Sequence, residues 1–472
     1  MSVQSRNFDL CVIGSGPAGQ KAAIQAAKLG RSVCVVEQRE TVGGVAIHTG
    51  TIPSKALREA VLAILAARRH AENVGATPDR TRELSLLVEY CQRVIHAETE
   101  VVRRQLADND IVLVHGQASF TGPDTIVVEG AYTTETIRAG AFLLAPGTTP
   151  ARPSDVPFDD EKVVTTDELL RLRYLPSSLI VVGGGVIGTE YASMLSALGV
   201  HVTLVDSRER LLEFADGEII EALQYHLRQA GMTLRLGEKV VGIRRVQTTP
   251  TGRPGECVEA TLASGKTLHA DCLLYCGGRQ GATEALQLDR IGLRADERGR
   301  IQVDAQFRTA VPNVYACGDV IGFPALASAA MEQGRLAACH IFGVPTESVE
   351  ELLPFGIYSI PEISMVGRNE EQLTAAAVPY ETGIAHYRET ARGQLLGDES
   401  GMLKLLVHQQ TEAILGVHII GTGATELVHI GQAVMGLKGS VEYFIDTVFN
   451  YPTLAECYKV AAFNARNKLR CA

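Results

Sequence analysis

Tryptophan is absent from this chain, aromatics make up only 5% of it, and none of its ten cysteines forms a Cys-x-x-Cys pair. Without that pairing, and with no Cys, Asp or Glu at ligand spacing around His96, His115, His418 or His429, the sequence offers no metal site. The thiols, several of them inside apolar strand-like runs, read as free and buried in a reducing cytosol. No apolar run approaches the ~20 residues of a membrane helix, so no membrane partner is expected. The first seven residues lead straight into an apolar strand. That leaves no room for a secretory leader and makes a cytoplasmic location the expectation. Basic residues are outnumbered too. The balance of 44 Lys and Arg against 54 Asp and Glu gives a formal charge of −10, the wrong sign for a nucleic-acid partner.

Glycine, by contrast, is abundant at 46 of 472 residues, and two clusters of it carry most of the information. Gly14-Ser15-Gly16-Pro17-Ala18-Gly19 and Gly183-Gly184-Gly185-Val186-Ile187-Gly188 each follow an apolar run, Phe8 to Ile13 and Leu179 to Val182, and each opens an alanine-rich helical stretch. That strand–turn–helix setting is the one a dinucleotide fingerprint requires. Gly14 and Gly183 permit the tight turn, and Gly16 and Gly185 let the backbone approach a pyrophosphate. Gly19 and Gly188 let helix pack on strand, with the helix N-terminus facing the negative charge. An acid ends the next strand in each case, Glu37 and Asp206, at the position that meets an adenosine ribose. Two clamps in one chain imply two dinucleotides held at once.

The length implies two to four domains. After the first βαβ unit, a mostly helical region runs from Ala56 to about Leu106 with a break near Asn73–Pro78. Short strands follow at Ile111–Val114, Thr125–Val128 and Ala141–Pro150, and Pro153 to Pro176 reads as a linker to the second unit. From about Glu351 the pattern changes to strands, Met402–Val407 and Ile414–Ile420, alternating with helices, Ala424–Leu437 and Thr453–Lys468. The fold class is α/β: two Rossmann-like domains and a C-terminal α+β domain.

Further stretches carry a family likeness. Thr309 followed by Val314-Tyr315-Ala316-Cys317-Gly318-Asp319, Gly43-Gly44, Ile52-Pro53-Ser54-Lys55, Gly188-Thr189-Glu190-Tyr191 and Phe449-Asn450-Tyr451-Pro452-Thr453 together resemble the glutathione reductase/dihydrolipoamide dehydrogenase family over essentially the whole chain. Within that family the likeness is greatest to the soluble, Si-specific pyridine nucleotide transhydrogenases. Ala145-Pro146-Gly147 stands in place of a short Ala-Thr-Gly motif, its proline removing a backbone donor. The resemblance implies an FAD domain from residues 1–155 and 272–350, an NAD(P) domain at 156–271 and a dimerisation domain at 351–472. It implies one FAD per subunit, held by Gly14, Gly16, Gly19, Glu37, Gly44, Lys55, Gly147, Gly318 and Asp319, with Asp319 accepting from the ribityl hydroxyls. NAD(H) and NADP(H) are then substrates at Gly183, Gly185, Gly188, Asp206, Arg208, Arg210 and Gly278. Lys55 and Glu190 are the implied catalytic pair beside flavin N5. A homodimer or larger homo-oligomer is the implied assembly.

The family's disulfide reductases carry Cys-x-x-x-x-Cys before Ile-Pro-Ser-Lys, where this chain has Ala46 and Thr51. They also present a His as thiol base. Tyr451 stands at its position here, while the Glu that holds that His is retained as Glu456. Neither Ala nor Thr forms a thiolate, and a phenol titrating near pH ~10 is a poor base at neutrality. The expectation is reversible hydride exchange, NADPH + NAD⁺ = NADP⁺ + NADH, ping-pong through the flavin and without a redox disulfide. A quinone or dye reductase and an idle nucleotide sensor are the alternatives. Asp206 alone favours a 2′-hydroxyl and repels a 2′-phosphate, whereas Arg208 and Arg210 lie near enough to offset that repulsion. Dual nucleotide use is therefore expected.

Overall fold

Two runs of apolar residues, alternating between the faces of a strand, organise the amino-terminal half of the computed structural model, which describes residues 4–73, 80–169, 174–248, 254–346 and 352–470. Gln4–Ile13 pairs in parallel with Val33–Glu37 and with Thr134–Leu144. Successive side chains point to opposite faces, so Leu10, Val12, Val33 and Val35 join one core, and Cys11, Ile13, Cys34 and Val36 another. With both faces covered, the five residues Val33–Glu37 are buried throughout, as the strand of a parallel sheet must be. The seven-stranded sheet runs Val112–His115, Val33–Glu37, Gln4–Ile13, Thr134–Leu144, Thr125–Glu129, Gln117–Gly122, with Val314–Ala316 also against Thr134–Leu144. The expected strand Ala141–Pro150 is two, Thr134–Leu144 and Thr148–Pro150, parted at Ala145-Pro146-Gly147 where Gly147 takes φ +70°.

Two compact units emerge: residues 1–60, 79–152 and 277–348 form one, and residues 61–78, 153–276 and 349–472 the other. In the second, Thr233–Leu236, His201–Asp206, Ser178–Val182, Cys272–Tyr275 and Val163–Val164 form an all-parallel sheet. Val163–Val164 lies within the stretch read as a linker. Its two valines are fully buried at the sheet edge, a role too short to show a period. Cys272–Tyr275 also belongs to this sheet, and the first unit resumes at Gly277. A three-stranded antiparallel sheet, Val240–Thr248, Pro254–Leu262 and Thr267–Ala270, accompanies it.

The carboxy-terminal part holds a five-stranded antiparallel sheet, Phe355–Ile357, Ile363–Gly367, Ile414–Ile420, Met402–His408 and Tyr380–His386. Ala424–Gly436 and Glu456–Leu469 pack on it through Val428, Val434, Tyr458, Ala461 and Ala465. Most of the helical break expected near Asn73–Pro78 lies outside the described residues. The architecture is α/β with a carboxy-terminal α+β sheet. No described helix is long and apolar enough to cross a membrane.

Candidate nucleotide-binding sites

The first fingerprint closes on the end of its own strand. At Gly14, φ is +105° and an added Cβ would run into the Ala145 carbonyl. A Cβ on Gly19 would run into the Gly14 carbonyl. Both glycines are therefore required by contact, as the fingerprint demands. Gly16 differs, because apart from its chain neighbours no atom of the described residues lies within 4 Å of its Cβ position, which leaves room for a ligand. It caps the helix Pro17–Lys28, with proline pre-set in the first turn. Gly44, at φ +61°, packs against Gly16, where a Cβ would come 2.9 Å from the Gly16 Cα. The buried Glu37 accepts from the Ser15 N–H at 3.0 Å and hydroxyl at 2.6 Å, and from the Arg39 N–H at 2.9 Å.

These residues border a cleft of about 1130 Å³, part of it open to solvent, whose wall continues through Ala46, Thr51, Gly147, Cys317 and Asp319. Asp319 follows Gly318, which takes φ +78°. Burial pushes its carboxyl above the ordinary range, against the opposing pull of Arg279 and a 3.4 Å hydrogen bond from the Thr148 hydroxyl. Arg279 in turn donates to the Thr148 hydroxyl and carbonyl at 2.7 Å each. Neither Thr148 nor Arg279 was legible from sequence, since they lie 131 positions apart and belong to no fingerprint. A buried carboxylate facing this cleft favours a ligand rich in hydroxyl donors, and the open face of Gly16 at a helix N-terminus favours a phosphate. The residues fit a flavin dinucleotide. Lys55 sits in the same unit on the helix Thr51–Asn73, its Nζ 3.3 Å from the Ser54 hydroxyl.

Among the described residues Cys317 supplies the one thiol in the cleft wall, and burial pushes its pKa up to about 12, which favours the protonated form at neutrality. No disulfide links the nine described cysteines.

The second fingerprint repeats the construction. A Cβ on Gly183 would meet the Cys276 carbonyl, and one on Gly188 the Gly183 carbonyl. A Cβ on Gly185 would meet, among the described residues and within 4 Å, only the Arg208 guanidinium at 4.0 Å. The buried Asp206 accepts from the Gly184 N–H and, at 2.8 Å, from the Arg208 N–H. Arg208 also grips it with a fork, Nε to Oδ1 at 2.9 Å and Nη2 to Oδ2 at 2.6 Å. Burial alone would raise the Asp206 pKa. The Arg208 guanidinium and the two N–H donors outweigh it and hold the carboxyl below its usual range. Arg210 pairs instead with Glu371 at 2.9 Å. Glu190 is buried on the helix Val186–Ala197, accepting from the Tyr358 N–H at 2.8 Å, and Tyr191 beside it is buried as well. Gly278, expected here, belongs to the first unit, where its carbonyl accepts from the Ala151 N–H at 3.0 Å.

Elsewhere, Asp216, Glu218 and Glu370 bring carboxylate oxygens within 4.8 Å of one another, the single such group among the described residues. The buried Lys404 ammonium lies among them, 2.9 Å from Asp216 and 3.0 Å from Glu218 and paired with Glu370, so the group is an ion-pair cluster. Tyr451 is exposed, and no hydrogen bond joins it to Glu456 among the described residues.

Residues 8–334 match the family model described as pyridine nucleotide-disulphide oxidoreductase, and residues 353–462 match its dimerisation domain. Proteins named "Soluble pyridine nucleotide transhydrogenase" are similar along the full length: 53% identical in Mycobacterium bovis over 98% of both chains, and 46% identical in Chromohalobacter salexigens over 98% of this chain and 99% of that one. Among solved structures, LpdA from Mycobacterium tuberculosis superposes with a TM-score of 0.87 at 25% identity, covering 98% of this chain and 99% of that one. The HOCl-induced flavoprotein disulfide reductase RclA from Escherichia coli gives 0.85 at 26% identity, covering 97% and 99%. Twin glycine clamps, an Asp319-walled cleft and full-length likeness converge, and the chain belongs to the pyridine nucleotide-disulphide oxidoreductase family.

Proposed function

We propose that this protein is an FAD-dependent pyridine nucleotide transhydrogenase that exchanges a hydride reversibly between NADPH and NAD⁺, in ping-pong order and without a redox-active disulfide. The observation that carries the reading is the composition of the first unit's cleft. Ala46 and Thr51 line it, and Cys317, the one cysteine among the described residues of its wall, has its thiol pKa pushed up by burial. The names of relatives 44–53% identical over 98% of the chain support the same activity.

When bound, the flavin supplies a two-electron carrier that accepts a hydride from one nicotinamide and passes it to another. Glu37 holds the adenosine ribose of the FAD, and Gly14, Gly16, Gly19, Gly44, Gly147 and Gly318 let the backbone come close to it. Asp319 accepts from ribityl hydroxyls. Lys55 would place an ammonium where negative charge accumulates on reduction, a contribution of the oxyanion-hole kind. NAD(H) and NADP(H) take turns at Gly183, Gly185, Gly188 and Asp206, with Arg208 and Arg210 meeting a 2′-phosphate. One hydride moves from NADPH to NAD⁺, giving NADP⁺ and NADH with no proton left over. Residues 353–462, matched by a dimerisation domain, support a homodimer.

Steady-state assays with NADPH as donor test the proposal by comparing thio-NAD⁺ with a quinone as acceptor. The expected result is efficient thio-NAD⁺ reduction with parallel double-reciprocal lines. Rapid quinone reduction with thio-NAD⁺ left untouched would overturn it.

A further inference from the structure

Both arginines of the second nucleotide site already grip carboxylates, and one of those carboxylates comes from far along the chain. Arg210 donates through Nη1 to Glu371, 161 residues away, and through Nη2 to the Glu213 carbonyl at 3.2 Å. Glu371 lies in the first turn of the helix Glu370–Ala375, within the region matched by the dimerisation domain. Three further ties join that region to the segment 207–216 that carries both arginines. Asn369 Nδ2 donates to the Phe214 carbonyl at 3.3 Å, the Phe214 and Phe355 rings lie 5.9 Å apart, and Lys404 bridges Asp216 and Glu370. Gly217 supplies the room for the pair. A Cβ there would stand 2.8 Å from Glu371 Oε1 and 2.9 Å from Arg210 Nη1.

We propose that Glu371 determines nucleotide preference: its carboxylate occupies the Arg210 guanidinium when NAD(H) is bound and must yield it to the 2′-phosphate when NADP(H) binds. The inference rests on reading Arg208 and Arg210 as the phosphate clamp. A guanidinium fork donates to a carboxylate or a phosphate in the same geometry, so the two compete for one donor set. A 2′-hydroxyl makes no such claim on Arg210, and NAD(H) binds without disturbing the pair. Glu371 is about half exposed, so its carboxylate can be released into water when displaced. It therefore weakens NADP(H) selectively, which suits a site that must release either nucleotide to admit the other. A segment matched as dimerisation domain thus sets the balance between two substrates bound elsewhere in the sequence.

Calorimetric dissociation constants of NADP⁺ and NAD⁺ for the holoenzyme, the Glu371→Gln and Arg210→Ala variants and the double variant test this. In Glu371→Gln the NADP⁺-to-NAD⁺ ratio of dissociation constants should fall about two- to five-fold, the range an exposed ion pair commands. That effect should vanish in the Arg210→Ala background, since the two residues act through one contact. If Arg210→Ala weakens NADP⁺ while Glu371→Gln leaves the ratio unchanged, the role of Glu371 is refuted and the clamp stands. If Arg210→Ala leaves NADP⁺ affinity intact, the clamp reading fails and the proposal with it.

Discussion

Arg208 lies between an acid and an open glycine, and its position explains how one pocket could serve two nucleotides. Its fork on Asp206 neutralises the charge that would repel a 2′-phosphate; each Asp206 oxygen already accepts two N–H groups, so a 2′-hydroxyl would have to displace one of these donors or share its acceptor. Arg208→Ala should raise the KM for NADPH by about ten-fold or more, the scale of a lost charge-assisted hydrogen bond, and the KM for NADH much less. Unchanged NADPH kinetics would remove Arg208 from the clamp. The same pair sets an acid dependence. Because the folded Asp206 pKa is lowered, its stabilising share is present above the unfolded carboxyl value, ~3.9, and is lost as pH falls through the lower folded value. The Tm difference between wild type and Arg208→Ala should therefore be greatest near neutrality and shrink as the pH drops below about 4. At this scale the sequence was legible wherever backbone geometry dictated a residue, as at Gly14, Gly19 and the acids ending each second strand. It was silent on Glu371 and Arg279, because contacts across 161 and 131 residues leave no local pattern.

Among elements, the two strand–glycine–helix units are built alike down to the atom that forbids a side chain. Gly19 faces the Gly14 carbonyl, and Gly188 faces the Gly183 carbonyl. Gly188→Ala must drive helix Val186–Ala197 away from strand Ser178–Val182, an overpacking that costs about 1–3 kcal/mol or more. The variant should retain FAD, whose expected clamp is untouched, and lose most NADPH-dependent reduction. Flavin content and turnover, measured together, check this. Periodicity located both parallel strand pairs and both long carboxy-terminal helices. It missed Val163–Val164, because two residues carry no period and only a neighbouring strand makes them part of a sheet. Reading Ala141–Pro150 as one strand gives too little weight to Pro146 and Gly147, both poor strand formers. They mark the break between Thr134–Leu144 and Thr148–Pro150, with Gly147 at φ +70°.

For the whole molecule, Lys404 shows how distant segments are held together. It lies on Met402–His408, yet its ammonium joins Asp216 at the start of Gly217–Gln229 and Glu370 at the start of Glu370–Ala375. Burial disfavours its charge, but Glu370 and Asp216 outweigh that and hold its pKa above the ordinary lysine value. Lys404→Met leaves Asp216 buried beside two other acids with no counter-ion and should destabilise the fold by about 3–5 kcal/mol, read as a fall in the denaturant midpoint. No sequence pattern announced this lysine, because a single charge inside an apolar strand reads as an exposed one until the facing acids are known. The α/β class was legible, since two fingerprints and a change of periodicity mark it, whereas the edge strand Val163–Val164 and the place of Cys272–Tyr275 in the second sheet were not.

Under the proposed function, electrons entering from one nicotinamide leave to another, with no sulfur relay to receive them. Anaerobic rapid mixing tests it: the holoenzyme is reduced with one equivalent of NADPH, then mixed with NAD⁺, with thiols counted by alkylation before and after. The account predicts that flavin absorbance is lost and then recovered as NADH appears, and that no alkylatable thiol is gained on reduction. A gain of two thiols, or reoxidation by glutathione disulfide or lipoamide in preference to NAD⁺, would contradict it.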